Sequence, residues 1–112
     1  MIRSVEVRDW EKYIVQKGDG YVIYKSPVRC PSNDPPAPDG WRVYNCGGAY
    51  PYIVVYDLEK VSVCKFSAGE IARGELNDFL REMGDRVVAI LDASVHGCWK
   101  LKKNQAVVLV RK

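Results

Sequence analysis

With 112 residues, 47% of them apolar and 28% charged, the chain has the size of one domain, able to bury roughly 65% of its unfolded surface without obligatory staples. Its net charge of +3, from 17 Lys and Arg against 14 Asp and Glu, permits contact with nucleic acid but does not by itself argue for it. No window approaches the roughly 18 apolar residues needed to span a bilayer, and Met1-Ile2-Arg3-Ser4-Val5-Glu6 is interrupted by charge where a secretory signal needs a continuous apolar stretch, so a cytoplasmic protein is predicted.

In chain order, Ile2 to Val7 has the period of a strand, and Asp9 to Lys17 carries Trp10, Tyr13 and Ile14 at helical spacing, with Asp9 as N-cap and Gly18 as stop. Gly18-Asp19-Gly20 then forces a turn into the apolar run Tyr21 to Tyr24, a strand. Residues 30–40 hold four of the six prolines and can be neither a helix nor a central strand, so 31–40 is predicted to be a surface loop within a single domain, 1–112. Strand character resumes at Trp41 to Tyr44, Cys46-Gly47-Gly48 turns the chain, and Tyr52-Ile53-Val54-Val55-Tyr56 has the strongest β signal. A continuous apolar run of that kind belongs in the middle of a sheet. Asp57 to Lys60 reads as a tight turn that makes Val61 to Phe66 the second arm of a hairpin.

Ser67-Ala68-Gly69-Glu70 has the spacing of a capping box, and Ala72, Leu76, Phe79, Leu80 and Met83 share one helical face, which predicts an amphipathic helix over about 70–83 ended by Gly84. Val87 to Leu91 is a further strand, followed by Cys98 to Lys102 and Ala106 to Arg111 joined by a Lys103-Asn104 turn. Strands, one main helix and more strands make an α+β fold, expected as a mixed sheet with the helix packed on it.

The four cysteines, Cys30, Cys46, Cys64 and Cys98, lack the close spacing of zinc knuckles and of thioredoxin-like motifs; no metal and no cofactor is expected. Reduced thiols are the rule inside cells, with hyperthermophiles an exception. If a disulfide forms, Cys30 to Cys46 is the first pair to test, since both flank the Pro-rich loop. His96, the sole histidine, reads as an exposed loop residue.

The succession Gly20 to Tyr24, Trp41-Arg42-Val43-Tyr44, Tyr52 to Val55, a helix, Val88-Ala89-Ile90-Leu91-Asp92 and a further strand resembles the C-terminal domain of archaeal tRNA-splicing endonucleases. In that family a Tyr acts as general base on a ribose 2′-hydroxyl, a His as acid for the leaving oxygen and a Lys as stabiliser of the charged transition state, cutting RNA at a bulge-helix-bulge. Tyr44 matches the family Tyr. Where the His would stand this chain has Gly48-Ala49-Tyr50-Pro51, and where the Lys would stand it has Gly84-Asp85-Arg86. With the His and the Lys both missing there, no catalytic residue is assigned. The resemblance therefore implies a non-catalytic structural subunit that pairs with a catalytic endonuclease subunit, as an α2β2 hetero-oligomer acting on pre-tRNA.

Family partners join through edge strands near the C-terminus. Ala106, Val107, Val108, Leu109 and Val110 fit that use, since an unpaired apolar terminal strand is an aggregation hazard; an inner strand of the chain's own sheet is the alternative. Asp92 is the single carboxylate in the turn that the family uses to lock dimers together. Two rivals stand beside this reading. Seven Tyr and three Trp with a basic excess suit a single-stranded nucleic-acid binder. A hairpin, helix and Val-Val strand are also similar to the interleukin-like epithelial-mesenchymal inducer family, a small extracellular-type ligand-binding domain, against which the N-terminus and the weak glycine pattern count.

Overall fold

The computed structural model describes residues 5–92 and 106–112. Its fold is α+β, built as two antiparallel sheets and one main helix, where a single mixed sheet was expected. The first sheet comprises β1 (Ile14–Gly18), β2 (Tyr21–Lys25), β3 (Arg42–Asn45) and β4 (Tyr52–Tyr56) in the order β1-β2-β4-β3. The second comprises β5 (Val61–Phe66), β6 (Val87–Asp92) and β7 (Ala106–Arg111) in the order β5-β7-β6.

β4 lies between β2 and β3, as its uninterrupted apolar run predicts. With both of its edges taken, β5 cannot form a hairpin with it. At Asp57 to Lys60 the carbonyl of Asp57 accepts from the amides of Lys60 and Val61, both at 3.0 Å, and its carboxylate accepts from the amide of Glu59 at 3.0 Å. That compact, helix-like turn carries the chain across to the second sheet instead of folding it back along β4.

Alternation then places the core in layers. Tyr21, Ile23 and Val54 on the inner face of the first sheet meet Val61, Ala89, Leu91, Val107 and Leu109 of the second. On the outer face of the first sheet, Tyr24, Ile53 and Val55 pack under Val7 and Trp10, with Trp10 edge-on to Tyr24 at 5.9 Å between ring centroids. On the far face of the second sheet, Phe66, Val108 and Val110 receive Ile71, Leu76, Phe79, Leu80 and Met83.

The helix is present but divided. Ser67 and Glu70 form the expected capping box, and the Ser67 amide bonded to the Glu70 carboxylate at 3.0 Å holds that carboxyl below its usual range. Gly74 then adopts φ 82°, a left-handed conformation that glycine enters freely and that no helix interior permits. It ends α1 (Ala68–Ala72) and starts α2 (Glu75–Met83). The N-terminal helix is likewise shorter than predicted: Trp10–Tyr13 forms one 3₁₀ turn and Ile14 onward is strand β1, paired with β2. Trp10 and Tyr13, three apart, suit a 3₁₀ turn, while β-branched Ile14 and Val15 favour extension. Asp9 precedes the turn with φ 57° and makes no side-chain cap. The predicted strand Ile2 to Val7 lies partly, and the predicted strand Cys98 to Lys102, its turn and His96 wholly, outside the described residues.

The Pro-rich loop runs over the surface and is tied to the N-terminal segment by Asn33, which accepts from the amide of Val7 at 2.7 Å and donates to its carbonyl at 2.9 Å. The β1–β2 turn docks on the β4–β5 turn, where the amide of Asp57 donates to the carbonyl of Gly20 at 2.8 Å. Gly20 has φ 84°, and a Cβ there would stand 2.7 Å from Lys60 Cβ. Gly20→Ala is therefore expected to cost about 1–3 kcal/mol, read as a lower urea midpoint; an unchanged midpoint would contradict this packing. Among the described residues no helix is long and apolar enough to cross a membrane.

Candidate functional site

Tyr44 stands on β3 opposite Val54, with its ring packed against the core between the sheets beside Cys46, Tyr52 and Tyr56. Lys65, from β5, places its ammonium 4.6 Å from the centre of that ring, over its face, where the ring quadrupole attracts a cation. Burial first, then the neighbouring Cys46 and Tyr56, push the Tyr44 hydroxyl up to about 12. Burial does the same to the Cys46 thiol, also to about 12, with Lys25 pulling weakly the other way. Burial thus opposes the phenolate that a general base requires.

Beyond Asn45 the chain makes a glycine turn. The Asn45 carboxamide oxygen accepts from the amide of Gly47 at 2.7 Å, and Gly47 and Gly48 follow with φ 86° and 97°. The return is anchored on both sides: the amide of Cys46 donates to the carbonyl of Tyr52, and the amide of Cys30 to that of Ala49, each at 2.9 Å. This turn forms one wall of a cleft of about 400 Å³, completed by Lys25 at the end of β2, Tyr50, Tyr52 and Asp92 at the end of β6. The Lys25 ammonium lies 4.1 Å from the centre of the Tyr52 ring. Tyr50 is 52% exposed.

The position matching the family His, Gly48 to Pro51, thus lies on the cleft wall, one short turn from Tyr44. The position matching the family Lys does not. Gly84–Arg86 is a 3₁₀ turn before β6, stitched to the end of β7 by Arg86 Nε donating to the carbonyl of Arg111 at 3.0 Å and by Arg111 donating to the carbonyl of Asp85 at 2.7 Å. The length of β6 separates it from Asp92 and the cleft, roughly 20 Å of extended chain.

Two expectations for site residues are corrected. Ala106, Val107, Val108, Leu109 and Val110 do not form an edge: β7 is hydrogen-bonded to β5 on one side and β6 on the other, and all five side chains are buried. Five successive apolar residues signal two covered faces as readily as an edge awaiting a partner. Cys30 and Cys46 are not joined, since Cys46 is a free thiol while Cys30 is disulfide-bonded; flanking the same loop did not make them a pair. Asp92, expected at a subunit contact, lines the cleft. Lys25, Tyr50 and Tyr52 were not singled out from the sequence. The available signal was Tyr50, an aromatic residue between a glycine turn and a proline, outside any strand pattern.

Comparison of the chain with protein families, with curated proteins and with solved structures finds no match.

Proposed function

We propose that the chain is a cytoplasmic, non-catalytic subunit of a heteromeric tRNA-splicing endonuclease, pairing with a catalytic subunit in an α2β2 assembly that acts on bulge-helix-bulge pre-tRNA. The observation that carries this reading is the setting of Tyr44. The residue that matches the catalytic machinery, Tyr44, is half-buried against the core between two sheets, burial pushes its hydroxyl away from the phenolate form, and the turn where a histidine would stand offers Gly48, Ala49 and Tyr50. The segments on which the resemblance rests form β2, β3, β4, β6 and β7, with β5 added between β4 and the divided helix.

The subunit contact belongs at an edge and not on β7, because a partner strand adds only where backbone groups are open. Among the described residues β6 is an edge strand, and it exposes Ile90. Capture of the tagged chain from its native extract tests the reading. A larger, histidine-containing nuclease subunit should co-elute with bulge-helix-bulge cleavage; an eluate free of partner and of cleavage would contradict it.

A second reading is favoured by the cleft. Exposed Tyr50 beside Lys25 joins a stacking surface to a cation, the pairing by which proteins hold single-stranded nucleic acid.

A further inference from the structure

We infer that the cleft bounded by Lys25, Tyr50, Tyr52 and Asp92 holds one unpaired nucleotide of single-stranded RNA whose base carries an exocyclic amine. The inference rests on the second reading above and assigns it a place and a preference.

The cleft volume, about 400 Å³, falls within the range of small-ligand sites, roughly 300–1,000 Å³. Its walls come from four elements, the ends of β2 and β6, the start of β4 and the glycine turn before it. Rigid strands therefore set the spacing of its polar groups. Tyr50 presents a half-exposed ring, the surface on which an unstacked base lies. Lys25 is held at the wall over the Tyr52 ring face, and its N–H donors that are turned away from the ring remain for a phosphate. Hydrogen bonds anchor Gly47 to Asn45, Cys46 to Tyr52 and Ala49 to Cys30, so the turn bearing Tyr50 is preorganised.

Asp92 decides between ligands. An ionised carboxylate accepts hydrogen bonds and donates none, and beside Lys25 it disfavours a free phosphate ion as sole occupant. It suits an N–H donor, which the amino groups of cytosine, adenine and guanine provide. Uracil offers a single donor there, its N3–H, set between two carbonyl oxygens that repel the carboxylate, and so pairs with Asp92 less well than an exocyclic amine does.

The test is fluorescence anisotropy of the full chain with labelled RNA oligomers about ten nucleotides long, of cytidine, adenosine or uridine. Cytidine and adenosine oligomers should bind at least tenfold more tightly than the uridine oligomer. Tyr50→Ala and Lys25→Ala, with circular dichroism unchanged, should each weaken binding at least tenfold. Asp92→Asn, whose amide both donates and accepts, should bring the uridine oligomer within about threefold of the others. Binding that survives Tyr50→Ala and Lys25→Ala, or equal affinity for all three oligomers, overturns the inference while leaving the single-strand reading in place. Absence of binding to every oligomer overturns both.

Discussion

Leu109→Ala is expected to lower the unfolding free energy by about 2–5 kcal/mol, and Leu109→Asp to leave the chain unfolded at 25 °C. Leu109 is fully buried on β7, the strand that holds the second sheet together. Its side chain lies in the core shared with Tyr21, Ile23 and Val54 of the first sheet. Truncation removes three buried heavy atoms and leaves a cavity that sheets pinned by two ladders cannot close. A carboxylate there would be desolvated without a partner, at a cost comparable to the whole stability of a domain this size, about 5–15 kcal/mol. Ile90, on the neighbouring β6, is 53% exposed, and Ile90→Ala should change stability by about 0.5 kcal/mol or less. Urea titrations followed by circular dichroism separate the two sites. Equal effects at Leu109 and Ile90, or a loss below about 1 kcal/mol at Leu109, would contradict the central placement of β7. The same placement means that removal of Ala106 to Lys112 should abolish folding, so loss of a partner after that deletion would not map an interface.

The purified chain is expected to leave bulge-helix-bulge RNA intact, and Tyr44→Phe to change the activity of the proposed assembly by less than about threefold, under roughly 1 kcal/mol of activation free energy. Phe keeps the ring against the inter-sheet core and under the Lys65 ammonium and removes only a hydroxyl whose ionisation burial opposes. A catalytic base would behave otherwise, since its loss commonly costs 10²–10⁴ in rate. Cleavage lost several hundredfold in Tyr44→Phe, with assembly unchanged, would place Tyr44 in the chemistry.

The parts of this fold legible in the sequence are those whose signals are local. Ser67 and Glu70 announce the start of α1 because the capping box is contained in four residues, and Tyr52 to Tyr56 announces a central strand because both faces are apolar. Periodicity says nothing about which strand lies alongside. For that reason β5 could be read as the partner of β4 and β7 as an edge, although the turn chemistry of Asp57 and the pairing of β7 with both β5 and β6 decide otherwise. Gly74 was compatible with the helical pattern until its positive φ divided it. The cleft was less legible still, because Lys25 and Asp92 end strands of different sheets, and their nearness exists only once the sheets are stacked.

The proposed role of this chain is assembly without chemistry. Its most direct test is cleavage of a bulge-helix-bulge pre-tRNA by three purified preparations: the chain by itself, its captured catalytic partner by itself, and the two combined. Cleavage confined to the combination, and retained when the chain carries Tyr44→Phe, is the predicted result. Cleavage by the chain by itself, or a partner whose activity is the same with and without it, would contradict the proposal.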